Sequence, residues 1–531
     1  MIYTSPYESL VIPQDKTLWD TLELHAHNEN AHAPAFICSV SGREISYSQM
    51  LTMAQQICAG LHARGINKGD VVVLHSFNCI EYPVVFMALN RLGATCSPTS
   101  PMFNAQELYD QAVLAKAKAI ISHKALSQVA VDAAKLMGID PSHVYTMAPA
   151  SKVDLDLISI EDLIEKDLPM PDLPCTDPES VISLPFSSGT TGRPKGVEVT
   201  ARGLLASGMN FNFMDQPGQH TLGLLPFFHI MATMVFHTCI YAGKAMVVLP
   251  RFEPQSFLEV VEKFKFEKIL IAPPLLLFMA QHPMVAKYDL SNLKEIQCGG
   301  APLGVELETF AENELGVTIL QGYGMTELSG TAVFSAPKSK RPGSTGKLAP
   351  NTSLKVICVS TGQPLSANEH GELLFKTPQL MKGYLNDPEA TEAAFCEDGF
   401  LHTGDIGYID DDGFVFIVDR IKELIKYKGH QVAPAELEDV LNNHPSIADS
   451  CCVRGFDFAT SEEIPKAYVV KKAGSNVSEQ DVLAFVASKV APFKKVREVE
   501  FIDVVPKSLS GKILRRELQV KENAKIEEKR R

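Results

Sequence analysis

Residues 46–65, "SYSQMLTMAQQICAGLHARG", space their apolar side chains three and four apart, whereas "DVVVLHS" and "AKAIIS" further on are short apolar runs. The first pattern predicts an amphipathic helix and the second predicts buried strands, so the first 175 or so residues read as βαβ units around a parallel sheet. The alternation returns in "AMVVLP", "PQSFLEVVEKFKF" and "KILIAPP", within residues 245–274. Between the two regions, the Pro-rich stretch 167–180 reads as a connector into the strand "VISLPF". From about Gly346 the pieces become short and β-rich, and "YIDDDGFVFIVDR" reads as a hairpin turning at Asp412-Gly413. After Arg420 come a Pro-started helix "PAELEDVLNNHP", strands "SCCVRGF" and "KAYVVKK", a helix opened by Ser478 with Asp481 three residues later, and the strand "VEFIDVV". The expected architecture is α/β: a large amino-terminal domain of layered α/β subdomains plus a small β subdomain, then a small α+β carboxy-terminal domain.

One stretch, residues 221–243, has no Asp, Glu, Lys or Arg and is long enough to cross a bilayer. Pro226, His229 and His237 interrupt it, and it is expected to be buried core around a pocket instead.

At 531 residues, with 45% hydrophobic and 21% charged residues, the chain has room for several folding units and the make-up of a packed globular protein. Its 49 basic and 63 acidic residues leave a formal charge of −14, which repels polyanions and excludes nucleic acid as the expected partner. Eleven scattered cysteines without a CxxC pair imply a reducing compartment. With no secretory signal at the start and no peroxisomal or lipidation signal at the end, a cytoplasmic location is expected.

A small anionic ligand then needs a local cluster of donors, and "SSGTTGRPKG", residues 187–196, is one. It is not a Walker loop: Arg193 and Pro194 separate Gly192 from Lys195, and Gly196 stands where the Mg²⁺-binding hydroxyl belongs. The following "GVEVT" alternates like a strand, and a helix can start only near Thr200. The element therefore reads as a tongue between two strands. Gly189 and Gly192 let backbone N–H groups turn inward, Ser187, Ser188, Thr190 and Thr191 add donors, and Arg193 and Lys195 add charge. Its alternative is an ordinary Ser/Gly/Thr surface turn.

Together with this loop, "GYGMTE", "HTGD", "DRIKELIKYKGHQVAPAELE" and "PKSLSGKILRREL" occur in series. The set resembles the adenylate-forming superfamily of acyl-CoA synthetases, luciferases and adenylation domains, with the 4-coumarate–CoA ligase-like branch nearest. Activating a carboxylate with ATP calls for a nucleotide clamp, cations and a metal where pyrophosphate departs. In "QGYGMTE", Gly322 and Gly324 would allow close backbone approach to a planar ligand and Tyr323 would offer a face to adenine. Thr326 would donate to phosphate and Glu327 would supply a hard oxygen for Mg²⁺. Asp405 could accept both ribose hydroxyls.

The resemblance adds Gln321 and Arg420 to the nucleotide site and Thr191 to the metal. It also implies that Lys512 bridges carboxylate and α-phosphate. It places a hinge at residues 420–422, around Lys422, between domains 1–419 and 423–531, the second being mobile. Lys426 and Gln431 match adenylate contacts in the second half-reaction, while Arg251, Lys428 and Gly429 match positions near CoA. His229 would sit between nucleotide and acyl group, with Met231, Val235, Gly299, Gly300 and Ala301 lining the acyl pocket.

Plant enzymes of the nearest branch carry a tyrosine where Met231 stands, so the expected acid is a hydroxycinnamate such as 4-coumarate or a fatty acid. Ile230 replaces the second histidine of luciferases, which argues against light production. The implied reaction joins a small carboxylic acid to CoA with ATP and Mg²⁺, through an acyl-AMP. The alternatives are a stand-alone enzyme loading a carrier protein and a non-catalytic nucleotide-binding paralogue. A monomer or a homodimer is expected, with no transmembrane segment.

Overall fold

The computed structural model describes residues 1–147, 155, 157–187, 194–215, 218–428, 430–458, 460, 462–509 and 511–530, apart from the Gln431 and Arg530 side chains. Its first sheet places strands Thr95–Thr99, Val71–His75, Ala117–His123 and Val144–Met147 side by side and parallel. The alternation along one strand shows why both faces are covered. Val72 and Leu74 pack with Leu51, Ile57 and Phe86 in one core, while Val73 packs with Leu108, Ala112 and Ala130 in another. At the other side of this sheet, Phe186–Ser187 pairs antiparallel with Lys195–Thr200, so the expected tongue does spring from two adjacent strands. The helix Ala201–Met214 follows at once, and the Thr200 hydroxyl caps it by accepting from Gly203 N at 3.0 Å.

A second sheet carries strands Lys268–Ile271, Glu295–Cys298 and Thr318–Met325 in parallel, then Gly330–Phe334 antiparallel. Against it packs the helix Ile230–Ala242, most of which is fully buried. The uncharged stretch 221–243 is thus a strand end, a turn and this core helix. Among the described residues, no helix is long and apolar enough to cross a membrane.

The β subdomain is an antiparallel sheet of Ser353–Ile357, Gly371–Lys376, Leu401–Ile409 and Val415–Arg420, joined by Tyr3–Thr4 from the start of the chain. The expected hairpin forms between Leu401–Ile409 and Val415–Arg420, with Gly413 at φ +80. Its beginning needs correcting: Lys347–Leu348 belongs to the second sheet, so the small sheet starts at Ser353.

Past Arg420, a three-stranded sheet of Ile447–Asp457, Glu462–Lys471 and Glu498–Phe501 packs with helices Pro434–Asn442 and Glu479–Lys489 around its own core of Leu437, Leu441, Val469 and Val482. Ser478 and Asp481 form the expected capping box. All eleven cysteines are free.

Candidate active site

The strand Thr318–Met325 ends in one 3₁₀ turn, Thr326–Leu328, which buries Glu327 at 4% exposure. Two hydroxyls meet its Oε1: Ser187 Oγ donates at 2.9 Å and Tyr384 Oη at 3.1 Å. Tyr384 sits in a two-residue strand, Gly383–Tyr384, which pairs with Val197 and Glu198 of the strand after the tongue. Lys195 Nζ lies 4.9 Å from the centroid of the same tyrosine ring and 3.7 Å from Asp387 Oδ2. Lys195, Tyr384, Glu327 and Ser187 therefore form one connected cluster at the root of the tongue. Of the tongue itself, Ser188, Gly189, Thr190, Thr191, Gly192 and Arg193 lie outside the described residues.

The two glycines of "GYGMTE" lie close against a neighbouring strand as well as lining a cavity. A Cβ on Gly324 would run into the backbone of Gly330 and Thr331, and one on Gly322 would meet Thr331 Cγ2 at 3.2 Å and Val333 O at 3.3 Å. Tyr323 is buried, with one face stacked on Phe375 at a centroid distance of 5.6 Å, and its hydroxyl donates to Asp405 Oδ2 at 2.6 Å. Asp405 and Arg420 are direct cross-strand partners in the β-subdomain hairpin, and Arg420 Nε reaches Asp405 Oδ1 at 3.2 Å. Burial raises the Asp405 carboxyl from its ordinary value, while Arg420, then Tyr323, pull it back down. Thr326 is half-buried beside Glu327.

Lys512 approaches this group from the carboxy-terminal domain. Gly511 before it has φ +80, and a Cβ there would meet Pro274 Cγ at 2.8 Å, so the loop rests against the start of the helix Pro273–Gln281 in the large domain. Burial pushes Lys512 down to about 8 and the Arg420 charge adds to the shift, with Glu423 and Asp405 opposing it. His229, lowered to about 4 by burial and then by Lys512, is a neutral imidazole at pH 7, and its buried Nδ1 has no hydrogen-bond partner among the described residues. Lys422 is lowered by burial and by Arg420.

A cavity of about 60 Å³ opens beside His229 and includes Met231, Gly299, Gly300, Gln321, Gly322 and Gly324 in its wall. Gln321 Nε2 is held by Glu308 at 2.7 Å. Val235, expected in the same wall, lies one helical turn beyond Met231 and lines a second cavity of about 30 Å³, and Ala301 lines neither. Gln297 and Phe211, which the motifs did not single out, line both.

The remaining candidates stand apart from the cavity. Lys426 and Lys428 are exposed on the hairpin Ile425–Tyr427/His430–Val432, Arg251 is exposed after the strand Ala245–Val248, Gly429 lies outside the described residues, and of Gln431 only the backbone is described. Among the described residues, no group of three or more His, Cys, Asp or Glu could hold a metal ion. The oxygens near Glu327 suit Mg²⁺, which binds through one or two carboxylates plus substrate phosphates.

The arrangement offers a carboxylate-and-guanidinium clamp, a half-buried lysine, a neutral imidazole and a mainly apolar cavity. Known proteins share both its sequence and its frame. Residues 22–385 match the AMP-binding enzyme family, and residues 436–512 match the AMP-binding enzyme C-terminal domain. The chain is 39% identical to 4-coumarate–CoA ligase 2 of Oryza sativa subsp. japonica over 92% of this chain and 90% of that one. It is also 39% identical to the 4-coumarate–CoA ligase of Pinus taeda, over 96% and 97%. The anthranilate CoA ligase AuaEII in complex with anthranoyl-AMP superposes with a TM-score of 0.87 at 23% identity, covering 96% of this chain and 98% of that one. ATP-bound MatB from Rhodopseudomonas palustris gives 0.86 at 25% identity, covering 95% and 99%.

Proposed function

The chain belongs to the AMP-binding enzyme family, and on that premise we propose that its site activates a hydroxycinnamate such as 4-coumarate or a fatty acid, with the roles of individual residues as follows. The reaction class is that of an AMP-forming acid–CoA ligase, with ATP and CoA as substrates. One carboxylate oxygen attacks the α-phosphorus and the bond to pyrophosphate breaks. The CoA sulfur then attacks the acyl carbon of the mixed anhydride, its proton is lost, and AMP leaves.

The observation that carries the assignment is that Lys512 acts both on neutral His229, in the cavity wall, and on the Asp405–Arg420 pair of the Tyr323–Asp405–Arg420 clamp. Asp405 accepts hydrogen bonds from the ribose hydroxyls, and Arg420, which counters the upward pull of burial on that carboxyl, is a second ribose contact. Gln321, Gly322, Tyr323 and Gly324 flank the base. Lys512 offsets negative charge where carboxylate meets α-phosphate, a contact worth ~10²–10³ in rate. The tongue, from Ser187 through Thr190 and Gly192 to Lys195, with Thr326, wraps the leaving phosphates. Glu327, with Thr191, would hold Mg²⁺, which when bound neutralises phosphate charge.

For thioester formation the carboxy-terminal domain, 423–531, turns about the hinge 420–422. This withdraws Lys512 and brings in Lys426, Gln431, Lys428 and Gly429, with Arg251 near the CoA. The separate core of the small domain and the exposure of Lys426 and Lys428 support such a turn. Met231, Gly299 and Gly300 shape the acyl cavity, and Val235 acts deeper. Eleven free cysteines support a reducing cytoplasm as its place.

The test is pyrophosphate release with hydroxycinnamates and medium- to long-chain fatty acids, with and without CoA. Acid-dependent release followed by CoA-thioester is expected. Release without thioester points to carrier loading, and no release with any acid overturns the ligase assignment.

A further inference from the structure

Phe211, Leu270 and Gln297 stand in the walls of both cavities and form the partition between them. Beyond them the second cavity runs back along two parallel strands, where Leu270 pairs with Gln297 and Lys268 with Glu295. Two residues of strand carry its wall roughly 7 Å from the partition to Lys268. Most of the lining is apolar, with Leu222, Val235, Cys239 and Ile269 among it. At the far end Lys268 Nζ meets Asp215 Oδ1 at 2.5 Å, with the side chains 24% and 14% exposed.

An ion pair in an apolar chamber is costly to desolvate and is easily replaced by packed hydrocarbon, so its presence asks for a reason. Burial raises the Asp215 carboxyl, Lys268 counters it, and Glu295 adds a further negative charge nearby. A second carboxylate placed here would meet that excess of negative charge. A plain methyl terminus would strip water from the pair and return nothing. A neutral hydroxyl can accept from the lysine and donate to the aspartate at once.

We propose that the second cavity receives the far end of a long-chain acid bearing a terminal hydroxyl, held by Lys268 and Asp215, with Gln297 and Phe211 as the gate. This rests on the acid-ligase assignment and names the substrate class of that site.

The experiment compares kcat/KM for thioester formation from ω-hydroxyhexadecanoate, hexadecanoate and 4-coumarate. The hydroxy acid should exceed its unsubstituted counterpart roughly tenfold, the scale of one hydrogen bond to a charged pair. Replacing both partners together, Lys268→Met with Asp215→Leu, leaves no unpaired buried charge and should bring that ratio to about one or below. Cys239→Phe narrows the chamber and should lower both long acids relative to the aromatic one measured in the same protein. Equal values for the two long acids in the unaltered enzyme, or a ratio untouched by the double substitution, overturns the proposal. If 4-coumarate is turned over while the long acids are not distinguished, only the chamber assignment falls. If no acid is turned over, the ligase assignment itself falls.

Discussion

The Ser187 hydroxyl donates a 2.9 Å hydrogen bond to Glu327 Oε1 across 140 residues of sequence, tying the root of the tongue to the expected metal carboxylate. Tyr384 donates to the same oxygen, so Glu327 is oriented from two strands. Tyr384→Phe should weaken Mg²⁺ dependence about 10–100-fold, the usual cost of losing an outer partner of a metal ligand. Glu327→Gln should cost more. Mg²⁺ titration of pyrophosphate release checks both, and an unchanged Mg²⁺ requirement in Glu327→Gln would remove it from the metal site.

Lys512→Ala should lower acyl-adenylate formation by ~10²–10³ while leaving thioester formation from supplied acyl-adenylate largely intact. Equal loss of both half-reactions would contradict the role. The half-buried lysine is held down to about 8, so its charge is lost as pH rises through that value, and adenylation should fall above about pH 8. Lys512→Arg, charged throughout, should shift this alkaline limb upward if the substitution keeps activity.

Tyr323 supplies a 2.6 Å hydrogen bond to Asp405. Removing its hydroxyl in Tyr323→Phe should raise the KM for ATP about tenfold, with a smaller effect on the acid. Arg420→Met should do more. It leaves Asp405 buried without its cation, so the carboxyl would stay protonated over a wider range. A pH profile of ATP binding distinguishes the two variants.

Asp439 of the small domain faces Gly304 and Glu306 of the large one, and a Cβ on Gly304 would run into its carboxylate. Burial, a hydrogen bond with Glu306 and the charges of Glu306 and Glu436 draw Asp439 up to about 7. The docked state binds this proton more tightly than an undocked, solvated carboxyl does. Docking is therefore weakened as pH rises from the ordinary carboxylate range and the loss is complete above about 7. Fluorescence transfer between labels on the two domains should report more separation at about pH 8 than at about pH 6, and Asp439→Asn should flatten that change. The same pH response in the variant would exclude Asp439 as its source.

The hairpin turn at Asp412-Gly413 and the alternation around it could be read along the chain, but the one-residue register shift between Ile406 and Gly407, which sets Asp405 opposite Arg420 rather than Asp419, could not. Flanking strands of the tongue were legible for the same reason: period-two patterns beside glycines and prolines. Tyr384 and Asp387 were not, because a two-residue strand has no period, and its partners Val197 and Glu198 lie far off in sequence. Gly322 and Gly324 were seen, but the close approach of the strand Gly330–Phe334 to them was not, since motif reading shows only that space is needed. Asp439 belongs to the same class. An acidic residue on a helix looks solvated until the domain opposite is in place.

The pairing of Tyr3 with Leu354 and Thr4 with Ser353, reinforced by two 2.7 Å hydrogen bonds between Leu10 and Asn351, has a consequence for synthesis. On the ribosome the first strand has no partner until the chain has grown past residue 354, which at typical translation speeds takes about 20–70 s. The small β sheet therefore closes late and joins the two ends of the large domain, a long-range closure that makes it a slow step in folding. Deleting the first ten residues should speed that closure, and it should loosen the sheet that holds Asp405.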